Sequence, residues 1–290
     1  MLSPHVEDIL IQLGINIVLA LSLYFPFSAG QLSLGQGGFM AIGAYASSWL
    51  GVALGWPWPA TFAAAALSAA VIGGLVGLPA LRVRGIYLVL MTLGFGEIVR
   101  VFFLNFEPTG AAQGYRGMAF VTDLPLVAAI VVAVSVLAGR TAGSPLGRAF
   151  AAIGTDELAA EVIGIDVTRA KLVAFVVGAA VAGLAGALWA HYVLFIDPEE
   201  FGFHRSVMPF TFLVVGGMQT YWGPLVGATV LTVLPEYLRF LQEWRLAFLG
   251  GAMILVMIVR PQGLVDRRLI DALGRALRYL LPQPARGPAG

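Results

Sequence analysis

The sequence predicts an all-α polytopic integral membrane protein of about eight to nine transmembrane helices, with a broken or re-entrant segment near residues 206–238. Three observations predict it. Of 290 residues, 59% are hydrophobic and only 11% charged, less than half the charge of a soluble domain, which usually carries about a quarter. Thirty-six glycines suit membrane helices, where a missing side chain lets backbones approach closely. The apolar residues also fall in stretches long enough to cross a bilayer, which takes about 20 residues.

Those stretches are roughly 9–27, 36–54, 60–78, 85–106, 120–138, 170–194, 206–238 and 245–260. The first is preceded by Glu7 and Asp8, without Lys or Arg, and Phe27-Ser28-Ala29 is a poor cleavage site. It therefore reads as a retained helix and not as a secretory signal. Trp56 and Trp58 in the 51–59 turn suit an outer aromatic belt. Arg82 and Arg84 follow the third stretch. Arg140, Arg148, Arg169 and Lys171 frame the 139–169 connection, and Arg260, Arg267, Arg268, Arg275, Arg278 and Arg286 follow the last stretch. Twelve of the 17 basic residues thus fall in three regions that the positive-inside rule places in the cytoplasm. Arg116, Arg205, Arg239 and Arg245 fall outside, and Arg100 lies within a stretch. This parity puts the N-terminus outside and the C-terminus in the cytoplasm.

Counting fails at 206–238. Read as one span, it would move the Arg-rich C-terminus outside. Its middle, Gly216-Gly217-Met218-Gln219-Thr220-Tyr221-Trp222-Gly223-Pro224, is full of helix breakers, and two short arms or two short spans restore the parity. The stretch Ser28 to Gly38 (SAGQLSLGQGG) is similar: polar, glycine-rich and set between apolar segments. Non-helical backbone at membrane depth is tolerated where it is buried in protein or lines a cavity, and paired interruptions often flank a transporter's substrate route. Ser33, Gln36, Gly37, Gly216, Gly217, Trp222 and Gly223 are therefore candidate pathway residues. The competing reading is ordinary small-residue packing at helix crossings.

The 139–169 connection reads as a turn at Pro145 and Gly147, then a short helix. Thr155, Asp156 and Glu157 make a helix start, with acid in the first turn. Gly164 closes the helix in the left-handed conformation, and Asp166 and Thr168 offer a cap for the next span. Leu158 and Val162 stand four apart on one side, as do Glu157 and Glu161. A helix this short is marginal in water, so a docking partner is expected. The chain divides into a transmembrane domain over 1–265, carrying the 139–169 loop, and a cytoplasmic tail over 266–290. In that tail Leu269, Ile270, Leu273, Leu277 and Leu280 alternate with Arg268, Arg275 and Arg278, as in a helix lying on the inner leaflet.

Charges inside spans are few. Glu97 and Arg100 lie three apart on one helix face, where ionised residues turn inward and pair. They can contact a zwitterionic substrate, or form a structural ion pair. His191 reads as a helix-packing residue, and Glu199, Glu200 and Glu236 as a solvated outer rim. The absence of cysteine excludes disulfides, thiolate metal sites and thiol nucleophiles. His5, His191 and His204 are too scattered for a metal site, and a net charge of +1 suggests no nucleic-acid partner. No paired-aspartate motif or Ser-His-Asp candidate supports an enzyme.

Four stretches, in order, resemble the M-type permease of branched-chain amino acid ATP-binding-cassette importers, over about Leu13 to Val265. They are LSLGQGGFMAIGAY (32–45); LRVRGIY (81–87) with TLGFGEIVR (92–100); GRAFAAI (147–153) through Gly164-Ile165-Asp166; and Gly216-Gly217 with Trp222-Gly223-Pro224, followed by RPQGL (260–264). The Tyr87 to Arg100 stretch is similar to the M-type rather than the H-type partner. The resemblance implies that the helix centred on Asp156 to Gly164 is the coupling helix, engaging an ATPase through Arg148, Thr155, Asp156, Glu157, Leu158, Ala160, Glu161 and Gly164. It also implies two ATPase subunits, a homologous H-type permease, an extracytoplasmic substrate-binding protein and residence in a bacterial inner membrane. The chain has no Gly-x-x-x-x-Gly-Lys-Ser/Thr loop, so no cofactor is expected in it and ATP belongs to the partners. Gln36 departs from the His of many relatives, which leaves open a urea, amide or other small solute as cargo. An ion-coupled secondary transporter is the alternative outside the family.

Overall fold

The computed structural model describes residues 3–237, 250, 251, 254, 258 and 263–265. The expected 245–260 span falls largely outside the described residues, and the 266–290 tail, Arg239, Arg245 and Arg260 wholly so. Among the described residues are ten α-helices: α1 (Pro4–Ser28), α2 (Gln36–Leu54), α3 (Trp58–Ala80), α4 (Ile86–Asn105), α5 (Leu124–Gly143), α6 (Pro145–Thr155), α7 (Glu157–Val162), α8 (Val167–Val193), α9 (Phe203–Gly216) and α10 (Trp222–Tyr237). Six of them (α1 to α5 and α8) are long and apolar enough to cross a membrane. The two helices α9 and α10 are shorter, with 14 and 16 residues.

Helices α1, α2 and α8 form the centre, and small residues set their spacing. Gly43 of α2 lies against the Gly183 backbone of α8, and Gly186 against the Met40 carbonyl. A side chain at any of these positions would strike backbone, which cannot move aside as a flexible side chain can. Ile15, Leu19, Leu23, Phe39, Met40 and Leu188 fill the core between the helices. By contrast α3, α4 and α5 carry exposed apolar rows, such as Leu67, Val71, Leu75 and Leu78 of α3. Apolar surface of this kind suits lipid, whose tails are as apolar as the side chains.

Hydrogen bonds and ion pairs sort the two ends of the bundle. At one end His5 of α1 meets Glu236 of α10 at 3.0 Å, and Tyr192 of α8 donates to Asp8. There too a two-stranded antiparallel ribbon joins β1 (Tyr115–Arg116) to β2 (Phe195–Ile196). At the other end lie the α1–α2 and α3–α4 connections, α6, α7 and the α9–α10 turn; Arg84 after α3 and Lys171 of α8 both reach Glu157 of α7. The basic residues of 82–84 and 139–171 therefore share one end.

The break near 206–238 takes a definite form. Helices α9 and α10 pack against each other, with Gly216 and Gly217 against Gly223 and the Phe212 carbonyl against Gly227. They are two helices joined by a turn.

Two expectations need correction. Pro145 and Gly147 form the first turn of helix α6: Ser144 caps it, its hydroxyl accepting from Gly147 N at 3.2 Å, and Pro145 stands at the first helical position. Proline there lacks only an N–H that would be unpaired anyway. The fifth span runs over Leu124–Gly143 instead of 120–138, because Asp123 caps it by accepting from Leu126 N.

Candidate translocation and coupling sites

The first candidate site begins where α1 ends. Gly30 adopts φ +74°, Gln31 N–H donates to Pro26 O at 2.9 Å and Gly30 N–H to Phe27 O at 3.0 Å. This left-handed glycine closure satisfies the last carbonyls of the helix. The chain then runs through residues 31–35 inside the protein: Gln31, Ser33 and Gln36 are 2%, 0% and 1% exposed. Buried polar groups need partners, and neighbouring helices and the break itself supply them. Leu34 N–H donates to Thr92 Oγ1 of α4 at 2.9 Å, Gly35 N–H to Ser33 Oγ at 3.2 Å, and Ser22 Oγ of α1 to Gln36 Oε1 at 3.2 Å. Among the described residues, Gln31 Oε1 is buried without a hydrogen-bond partner. It borders a cavity of about 100 Å³ whose walls include Arg84, Glu157 and Lys171.

The start of α9 meets this break. Gly37 faces Ser206, with the Phe201 carbonyl 3.0 Å from where a Cβ would sit, and Gly38 lies against the Gly96 Cα. Just before α9, a 3-10 turn over Pro198–Phe201 carries Glu199 to Arg100. The Arg100 guanidinium donates from Nε to Glu97 Oε2 and from Nη1 to Glu199 Oε1, both at 2.7 Å. Glu97 and Arg100 are therefore paired as their spacing predicted, and Glu199, expected as a solvated rim residue, is the third member. Arginine's several donors in a fixed fork were the signal that one carboxylate would not complete the site. Glu200 accepts from Trp189 Nε1 at 3.0 Å, and the Arg205 guanidinium lies 4.2 Å from the Trp189 ring centre. Phe201 is buried beside Tyr45, whose ring stacks on Phe103.

The other pathway candidates stand apart. Gly216, Gly217 and Gly223 meet one another at the α9–α10 crossing, and Trp222 is half-exposed at the start of α10. Packing accounts for these glycines, and the structure does not bring them to Ser33, Gln36, Glu97 or Arg100.

The second site is the α6–α7 pair. Asp156 caps α7 by accepting from Ala159 N at 3.0 Å, and Gly164 closes it with φ +87°. Asp166 caps α8 by accepting from Arg169 N; Thr168 lies within α8 and plays no capping part. Two of the coupling candidates face inward: Ala160 is buried, and Glu157 bridges Lys171 at 2.8 Å and Arg84 at 3.4 Å. Glu157 thus anchors α7 to α8 and to the α3–α4 loop, which its i, i+4 spacing to Glu161 did not reveal. Leu158, Val162 and Ile163 are 67%, 87% and 73% exposed, and Thr155, Asp156 and Glu161 are exposed beside them. Arg148 of α6 borders a cavity of about 350 Å³ with Thr141, Ser28 and Gln219.

The two sites touch. Gly154 of α6 packs against the end of α1: a Cβ there would lie 3.1 Å from Ser28 O, and one on Gly30 would lie 3.3 Å from Gly154 Cα. No sequence pattern signalled this backbone-to-backbone contact.

His191 behaves as a packing residue, with Nδ1 3.0 Å from Ala119 O and its ring against Phe62. Among the described residues no group of three or more His, Cys, Asp or Glu side chains could hold a metal ion.

Comparison with known proteins gives a consistent answer. Residues 5–257 match the family described as branched-chain amino acid transport system / permease component. The chain is 38% identical over 292 residues to the high-affinity branched-chain amino acid transport system permease protein LivM of Salmonella typhimurium, covering 89% of this chain and 67% of that one. It is 32% identical over 132 residues to LivH of the same organism, covering 44% and 42%. It is also 32% identical over 170 residues to the autoinducer 2 import system permease protein LsrC of Klebsiella pneumoniae, covering 55% and 47%. No solved structure matches.

Proposed function

The chain belongs to the branched-chain amino acid transport permease family, and from that premise we propose that it carries branched-chain amino acids inward across a bacterial inner membrane. It is a multi-pass, non-enzymatic component of its transporter. In this reading two ATPase subunits bind ATP and drive it, an H-type permease completes the membrane unit, and an extracytoplasmic protein delivers the substrate. The end that holds Arg82, Arg84, Arg140, Arg148, Arg169 and Lys171 faces the cytoplasm, in keeping with the positive-inside rule.

One observation carries the reading. Leu158, Val162 and Ile163 project from a capped six-residue helix that is tied back to the bundle through Glu157. Six residues are too few for a helix to be stable alone, so its anchoring to the body and its bare apolar face both favour a docking element. Movement of an ATPase groove around α7 would reach the membrane through α6, where Gly154 rests on the end of α1. The polar residues Ser33 and Gln36, the Gly37 contact with Ser206 and the Glu97–Arg100–Glu199 group are the proposed pathway region. Support for it comes from their clustering where α2, α4 and the start of α9 meet.

The test is purification of the chain with its ATPase pair. We expect Val162→Asp to insert normally yet lose co-purifying ATPase at least tenfold, since a charge then enters a desolvated apolar contact. Unchanged co-purification would remove α7 from the interface. A second reading, transport of a different small solute, is favoured by the likeness to the autoinducer 2 permease and by Gln36. The ligand profile of the partner binding protein separates the two.

A further inference from the structure

We propose that the cavity beside Arg148 binds a small carboxylate carried on an apolar body. The cavity measures about 350 Å³ and lies between the ends of α1 and α5, one face of α6 and the α9–α10 turn. Small-molecule sites span about 300–1,000 Å³, so a ligand of amino-acid size fits.

Arg148 selects the charge. Among the described residues it is the one charged side chain in the cavity wall. It is exposed and makes no ion pair among the described residues. Its hydrogen bond from Nη1 to Gly143 O, at 3.4 Å, is long. A guanidinium carries five donors in a fixed fork that matches a carboxylate, and here most of them are left open. Asp156, the acid that follows α6, is engaged on α7, where it accepts from Ala159 N–H at 3.0 Å.

A lone cation meets the opposite. No carboxylate lines the cavity among the described residues, and helix-end carbonyls around it already accept. Phe27 O takes Gly30 N–H at 3.0 Å, and Thr141 O takes the Ser144 N–H at 3.1 Å and hydroxyl at 2.7 Å. The hydroxyls of Ser28 and Thr155 give their protons to Phe25 O and Ala151 O at 2.7 and 2.9 Å. Each of these two oxygens still accepts, so the ammonium of an amino acid is tolerated once its carboxylate sits on Arg148. Phe27, Phe150 and Met218 add apolar wall, which an inorganic anion does not use. The carboxylate can belong to an apolar amino acid or to the oxo acid left when such an amino acid loses its amine.

The site bears on the joint between α6 and α1. Gly154, which packs against Ser28 O, shares the cavity wall with Ser28, so an occupant bridges the two helices. In the orientation proposed above this end faces the cytoplasm, and cargo that accumulates there holds the joint and slows further import. That consequence rests on the proposed function; binding to the cavity does not.

Thiol labelling tests this on the full chain in phosphatidylcholine nanodiscs, because the sequence holds no cysteine. Ala142→Cys, in the cavity wall, reports occupancy through its rate of reaction with a thiol reagent. We expect leucine or its oxo acid to slow that reaction saturably, while Leu158→Cys on α7 reacts at an unchanged rate. Stronger protection by leucine assigns the amino acid, and stronger protection by the oxo acid assigns the deaminated form. Adding Arg148→Gln should weaken protection about tenfold or more, the worth of a charge-assisted hydrogen bond, and Arg148→Lys should keep part of it. No protection by either acid overturns the proposal, as does protection that survives Arg148→Gln. Equal protection by isoamylamine, isoamyl alcohol or inorganic phosphate also overturns it, since the site then reads neither the charge nor the apolar body. The assay needs neither ATPase nor transport, so its failure leaves the proposed function to stand or fall on the Val162→Asp co-purification.

Discussion

The 29–36 break and helix α7 are built alike and do opposite things. Each is a short departure from the long helices marked by a left-handed glycine: Gly30, at φ +74°, closes α1 as the break begins, and Gly164, at φ +87°, closes α7. The break buries polar side chains, Gln31, Ser33 and Gln36, while α7 exposes apolar ones, Leu158, Val162 and Ile163. Both patterns are costly for the isolated chain, since buried polar atoms need partners and exposed apolar surface does not leave water. The break answers most of its cost within the fold, through Thr92, Ser22 and its own Ser33, with Gln31 Oε1 left unpaired among the described residues. Among the described residues helix α7 has no such answer. In the proposed reading the internal polar network belongs to the route and the external apolar face to the drive, and the Gly30–Gly154 contact joins them.

The largest expected effect is at that joint. Gly30→Val adds β-branched strain at positive φ to a collision with Gly154 backbone, together about 3 kcal/mol or more. The thermal midpoint of the purified protein should drop by several degrees and transport should be lost. A variant of wild-type stability would mean that the break and α6 are not packed together.

Gly164→Val separates the two regions. Among the described residues nothing lies within 4 Å of a Cβ at Gly164, so the cost is conformational, about 1–2 kcal/mol. Transport and transport-coupled ATP hydrolysis should fall together while membrane insertion and the Gly30 region stay intact. Survival of both activities would show that the shape of α7 does not matter to coupling.

A smaller effect is expected at Arg100. Its carboxylate partners Glu97 and Glu199 are partly exposed, so solvent screens the group and Arg100→Gln should cost only about 1 kcal/mol or less. Glu97→Gln with Arg100→Gln should recover part of that loss if the group is structural. Well-assembled single variants with an altered preference among amino acids would support the proposed place of these residues in the route.

The smallest perturbation is Thr155→Cys in a chain that has no cysteine. Transport should be unaffected, and an impermeant thiol reagent should reach the residue only from the cytoplasmic side. Labelling from the outside would reverse the orientation of both regions.

The long helices were legible because hydropathy over about 20 residues is a local signal: the 36–54 stretch coincides with α2, and Asp156 and Gly164 delimit α7 by local capping chemistry. Ser144-Pro145 carried an equally local helix start for α6, but reading Pro145 and Gly147 as a turn passed over it. Glycines 216, 217 and 223 could be seen as breakers; whether they faced a route or another helix depended on packing that spacing does not encode.

By itself, the sequence determined that this chain lives in a membrane, how its helices are punctuated and which family it resembles, since all three rest on composition, short-range chemistry and ordered motifs. Only the tertiary structure decided which residues meet across long separations. Glu199 completes Arg100 from 99 residues away, Glu157 is shared by Arg84 and Lys171, and Gly154 rests on the end of α1. Such pairings depend on how helices cross, and a crossing is set by the joint shape of two surfaces that no single stretch of sequence contains.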